Sequence, residues 1–60
     1  MSVKLLYQVP KGTWVKVVHT KEVIFFDHID GMYSYCKDIN GDVTHYSSWT
    51  EVEEIENETN

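Results

Sequence analysis

Cys36, His19, His28 and His45 are the side chains in this 60-residue chain that could supply a nucleophile, a general base or a zinc ligand. A thiolate paired with an imidazole performs acyl transfer, and a Cys/His set holds zinc. The spacing favours neither. None of the four forms the close ligand pairs that metal sites use. Cys36 and His45 fall on one face of neighbouring strands, so they can approach. A working nucleophile would still need an orienting group, an oxyanion hole and a cleft, for which so small a chain has almost no interior. Cys36 therefore reads as a small buried hydrophobe. No catalytic residue, cofactor or metal ligand is expected.

The run Asp38-Ile39-Asn40-Gly41-Asp42 has the oxygen ligands of a calcium loop. Such a loop needs glycine at its sixth position and a bidentate glutamate at its twelfth. Those positions hold Val43 and Trp49, so the run reads as a hairpin turn. The chemistry left is recognition by aromatic rings and carboxylates, and the elements that position them decide its form.

Asp30-Gly31 and Asn40-Gly41 are strong hairpin signals, each flanked by aromatic and β-branched residues. They predict a meander of strands over Glu22 to Ile29, Met32 to Lys37 and Asp42 to Ser47. Val3 to Gln8 and Thr13 to His19 read as earlier strands, separated by Val9-Pro10-Lys11-Gly12, where proline cannot donate to a ladder. Glu51 to Glu56 reads as a short last strand. No helix is expected. Residues 1–56 form one domain, and Asn57 to Asn60 are expected to be a disordered polar tail. Five, or six, short antiparallel strands in consecutive hairpins predict a small all-β barrel of SH3-like type, because a lone sheet of this size exposes an apolar face and two edges.

A two-residue Asp30-Gly31 loop pairs Ile29 with Met32, Phe26 with Tyr35 and Phe25 with Cys36. One face then carries Phe26, Tyr33, Tyr35 and Tyr46 with His28, and the other Phe25, Ile29, Met32, Cys36 and Val43. The second is the more aliphatic and is taken as the core, which leaves the aromatic face partly exposed. Trp14 alternates with Val15 and Val17 and points outward. Trp49 is expected to plug the barrel end.

A lone cysteine argues against a disulfide-stapled secreted scaffold and fits a reducing compartment. The N-terminus does not read as a signal peptide, and no apolar run approaches a membrane span. A soluble cytoplasmic protein that does not engage membranes is expected. The net charge is −5, with lysines 4, 11, 16 and 21 and no acid in residues 1–21, and Lys37 against ten carboxylates thereafter. That balance opposes non-specific nucleic-acid binding and suits a basic protein partner.

The segment Asp30-Gly31-Met32-Tyr33-Ser34-Tyr35-Cys36 resembles the strand–turn–aromatic pattern of Tudor and related SH3-like barrels. That resemblance implies a barrel and an aromatic cage, for which Tyr33, Phe26 and Tyr46 could supply rings, although the paired Trp-Tyr of that pattern is missing. Size and acidity are similar to those of bacteriophage accessory proteins, which would place the chain in the host cytoplasm. The expectation is a non-enzymatic module that contacts another protein, in one form an inhibitor of a host enzyme. The expected anchors are Trp14, Phe26, Tyr33, Tyr35 and Tyr46, with Glu51, Glu53 and Glu54 steering a basic partner. The alternative is single-stranded nucleic acid bound by the lysine-bearing N-terminal half with Trp14 and Tyr7. Self-association to a homodimer is a third expectation.

Overall fold

The computed structural model describes residues 2–55. The chain is all-β: β1 (Lys4–Leu5), β2 (Thr13–Val17), β3 (Val23–Asp30), β4 (Tyr33–Asp38), β5 (Val43–Thr44) and β6 (Glu51–Glu54), with one 3-10 turn at Leu6–Gln8. All neighbours pair antiparallel in one sheet of order β1-β6-β2-β3-β4-β5. The sheet is open, with β1 and β5 at its edges. The meander β2–β5 is as expected. The consecutive-hairpin expectation fails at the start, because β6 inserts between β1 and β2. The 3-10 turn replaces the second half of the expected first strand. There the Gln8 side chain accepts from the Leu5 N–H at 2.9 Å, which draws the backbone out of the extended form. Among the described residues no helix is long and apolar enough to cross a membrane. The expected tail, Asn57 to Asn60, lies outside the described residues.

The first central turn is displaced by one residue from its sequence reading. Asp30 pairs with Tyr33, so the two-residue loop is Gly31-Met32, and Gly31 takes a φ of +65°. Positive φ at the first central residue alone is the pattern of a type II′ turn, which favours glycine there. Nothing lies within 4 Å of where a Gly31 Cβ would be, so a substitution meets backbone strain and no clash. Gly31→Val should therefore cost about 1–3 kcal/mol, measured as a lowered urea midpoint. Gly31→Ala should lose a similar amount, because the strain lies in the backbone and not in the bulk of the side chain. At the second turn the Asp38 carboxylate accepts the Asn40 and Asp42 N–H groups at 2.9 and 3.0 Å, and Gly41 has φ +87°. Those bonds account for the oxygen-rich sequence as turn chemistry.

Beyond the first turn Ile29 faces Ser34 and His28 faces Tyr35, then the register shifts so that Phe26 faces Cys36 and Phe25 faces Lys37. The extra residue, Asp27, is a β-bulge. It inverts the phase of the upstream half of β3. Consequently Phe26 joins Cys36 on the inner face, the reverse of the expected pairing of Phe25 with Cys36. The buried core is Leu6, Val9, Val15, Val17, Ile24, Phe26, Cys36 and Val52, with Ile29 and Tyr46 packed against it. Phe26 is 1% exposed, while Met32 and Val43, expected inside, are exposed.

The expected plug, Trp49, is also misplaced: it is 55% exposed, and the buried residue there is its neighbour Ser48. Ser48 donates from its hydroxyl to the Gly31 carbonyl at 2.9 Å and from its N–H to the Met32 carbonyl at 2.8 Å. Its own carbonyl accepts from Tyr7 N–H at 3.0 Å, and Thr50 accepts from Leu6 N–H at 2.9 Å. A polar residue thus fills the position because three backbone groups there need partners, and Leu6 supplies the apolar volume.

Candidate functional site

On the outer face of the sheet, cross-strand pairing places Trp14 opposite Phe25, Phe25 opposite Lys37, and Lys37 opposite Val43. One row of side chains therefore runs over β2, β3, β4 and β5. The indole and the Phe25 ring meet edge to face, with centroids 5.3 Å apart. Trp14 keeps 41% of its surface, an unusual state for the largest side chain near the centre of a sheet. Ile39, at the tip of the β4–β5 turn, is 73% exposed and reaches the same region. Trp14, Phe25, Lys37, Asp38, Ile39 and Gly41 line a groove of about 350 Å³. A smaller cleft of about 260 Å³, lined by Gly12, Thr13 and Ile55, shares Trp14 with it.

Of the expected anchors, Trp14 and Tyr35 share this face. Tyr35 stacks on His28 at 5.2 Å and meets His45 edge-on at 5.7 Å. His28 is in turn held by Asp27 at 2.9 Å, and His45 by the Ser34 carbonyl at 2.9 Å. One face of the Tyr35 ring is therefore covered within the protein. Tyr33 is exposed on the same sheet face but lies at the turn end, bridged to Ser47. Phe26 is buried and unavailable to a partner, by the phase inversion already described. The structure does not assemble a cage from Phe26, Tyr33 and Tyr46.

Tyr46 packs against the core, and its hydroxyl donates to the Glu22 carboxylate. Burial, followed by the adjacent Glu22 charge and hydrogen bond, pushes this phenol up to about 12 from its ordinary 10.0. The unfolded chain releases the proton first, so stability is full below about pH 10 and falls as pH rises toward 12. Tyr46→Phe should flatten the fall in that window. Urea midpoints measured at intervals across it would show this, and an unchanged slope in the variant would contradict the assignment.

The three glutamates do not form a free acidic patch. Glu54 accepts from Lys4 Nζ at 3.1 Å, Glu51 lies 3.1 Å from His19 Nε2, and Glu53 faces Lys16 across the β2–β6 ladder. The side chains are exposed enough that the ion pairs are weak, but the carboxylates are divided among separate partners.

Cys36 is fully buried and its Sγ lies 3.2 Å from Ser34 Oγ, while burial pushes the thiol up. Both conditions oppose nucleophile chemistry. Ser34 Oγ also donates to the Tyr46 carbonyl at 2.9 Å, so the hydroxyl is committed to structure. Among the described residues no group of three or more His, Cys, Asp or Glu is placed to hold a metal ion. Sequence reasoning missed Phe25, Lys37, Ile39 and Val43 as surface residues; the apolar tip Ile39 within a polar turn was the one local signal. No family model, curated protein or solved structure matches this chain.

Proposed function

We propose that the protein is a non-enzymatic binding module that docks another protein on the outer face of its sheet, with Trp14 as the anchor. The carrying observation is the half-exposed Trp14 seated edge-on against Phe25 beside an open, mainly apolar groove. An aromatic held rigid by a neighbour loses little entropy on binding, and tryptophan in such a setting is typical of interface hot spots. The partner offers an apolar side chain to the groove and carries net positive charge. The chain's net charge of −5 favours its approach. A modulator of a host enzyme is one form of this reading.

The same reading takes the sheet as a small SH3-like barrel. Support comes from the bulge at Asp27, which increases twist, and from the hydrogen bonds of Leu6 and Tyr7 to Thr50 and Ser48, which tie the first segment to the one following β5.

The decisive experiment is capture on immobilised protein at physiological salt, with wild type and Trp14→Ala side by side. A partner retained by the wild type and lost from the variant is the expected result. Equal retention by both would refute the site. The nucleic-acid alternative draws on Lys16 and Lys37 beside aromatics on this face, but Lys4 pairs with Glu54, Lys16 faces Glu53, and Tyr7 lies elsewhere. Fluorescence anisotropy with single-stranded DNA and RNA at low salt would reveal binding if that alternative held.

A further inference from the structure

The two edges of the sheet are not equally protected. At β1 the Leu6 N–H donates to the Thr50 carbonyl at 2.9 Å, so alternation turns the Leu5 peptide groups away from β6. The Leu5 N–H is taken by the Gln8 side chain at 2.9 Å. That edge is closed from within the chain. At β5 the Asp38 N–H donates to the Asp42 carbonyl at 2.9 Å and the Ser34 N–H to the Tyr46 carbonyl at 2.8 Å, with Cys36 facing Thr44 between them. Asp42, Thr44 and Tyr46 therefore direct their peptide groups to β4, and Val43 and His45 direct theirs outward. Among the described residues β5 has no strand on that side. Neither residue is a lysine, a proline or part of a bulge, the usual devices that blunt an edge. Val43 is 47% exposed and ends the outer row that begins at Trp14.

We propose that β5 receives an additional strand from a partner protein, an extended segment in which apolar and basic residues alternate. Docking in this way rests on the outer face being the binding surface, and adds how the partner lies beside it. The outward peptide groups of Val43 and His45 are two donors and two acceptors at strand spacing, which only another extended backbone matches in full. Side chains of an added strand alternate between the two faces. The one opposite Val43 prolongs the outer row and is apolar. The one opposite Asp42 falls on the other face. β4, β5 and the turn between them hold Lys37 against Asp38 and Asp42, and the whole chain carries −5, so the residue beside Asp42 is a lysine or arginine. Charge also selects against a second copy. Residues 42–47 offer Asp42 and no lysine or arginine. The edge that does carry a lysine, β1, has its Leu5 N–H occupied by Gln8 and its Lys4 paired with Glu54.

The test is an NMR titration of the full chain with the peptide acetyl-Lys-Val-Lys-Val-Lys-Val-Lys-amide, taken to about 1 mM, and with its analogue carrying glutamate for every lysine. The lysine peptide should shift the Val43 and His45 amides and slow their exchange with solvent. The glutamate peptide should bind at least about tenfold more weakly. Val43→Pro removes an outward N–H and no ladder bond, so it should remain folded by circular dichroism and raise the dissociation constant at least about tenfold. Trp14 lies three strands away, so Trp14→Ala should leave the response of the two amides in place, and the capture experiment on Trp14 succeeds or fails separately from this one. A wild type whose Val43 and His45 amides do not respond to the lysine peptide overturns the added strand, whatever the variant does. So does equal binding of the two peptides, or binding by folded Val43→Pro as tight as by the wild type. Shifts of the same amides with protein concentration alone would make the occupant a second copy and overturn it too.

Discussion

Phe26→Ala should lower stability by about 3–5 kcal/mol, the range for removing a buried aromatic ring. A domain of this length holds only about 3–9 kcal/mol in total, so the variant should be largely unfolded at 25 °C or melt far below the wild type. The neighbouring Phe25→Ala is the control. Phe25 is half-buried on the outer face against Trp14, and its removal should cost markedly less, with a native circular-dichroism spectrum retained. Urea titrations of both variants check the pair. If Phe25→Ala proved the more damaging, the bulge at Asp27 and the register built on it would be wrong.

The second large effect concerns binding. Trp14→Ala should weaken the partner's affinity by about 2 kcal/mol or more, close to 30-fold. Stability should fall by less than in Phe26→Ala, because 41% of Trp14 is already exposed, although the edge-to-face pair with Phe25 is lost. Tyr33→Ala, at the turn end and away from the groove, should leave heteromeric affinity within about twofold. The triple change of Glu51, Glu53 and Glu54 to Gln should alter the association rate only slightly, since each carboxylate already faces a basic group or His19. Surface plasmon resonance with the captured partner measures all three. A larger loss from Tyr33→Ala than from Trp14→Ala would move the site to that end of the sheet.

Strand number and position were legible because turn chemistry is local. Asp30-Gly31, Asn40-Gly41 and Pro10-Lys11-Gly12 each announce themselves in a few residues, and β2 to β6 fall close to where those signals put them. The outward direction of Trp14 followed from its alternation with Val15 and Val17. Facing in β3 was not legible. Val23-Ile24-Phe25-Phe26 is apolar on both sides, so alternation cannot say which phenylalanine is inside. The bulge that decides it has no local signature in Asp27. The insertion of β6 between β1 and β2 was equally hidden, because pairing between distant segments leaves no turn to read. Lys21, at φ +66°, shows the same limit. Its conformation is imposed by the bond from its N–H to the Val17 carbonyl at 2.8 Å, and nothing in Thr20-Lys21 announces it. The candidate site inherited these gaps: Phe26 was placed outside and Phe25, Lys37 and Val43 were not recognised as one row.

The extra residue in β3 makes the length of that strand negotiable at one place only. Removing Asp27, or His28 beside it, closes the ladder into a regular one in which Phe26 still faces Cys36 and Ile29 still faces Ser34. Removing Phe26 instead would bring Asp27 opposite the thiol and bury a carboxylate without a partner. A deletion scan along residues 24–29, read by melting temperature, should therefore show a narrow window of tolerance at 27 and 28, with sharp losses at Ile24, Phe26 and Ile29. Chain shortening, usually confined to loops, would here be accommodated inside the longest strand of the sheet.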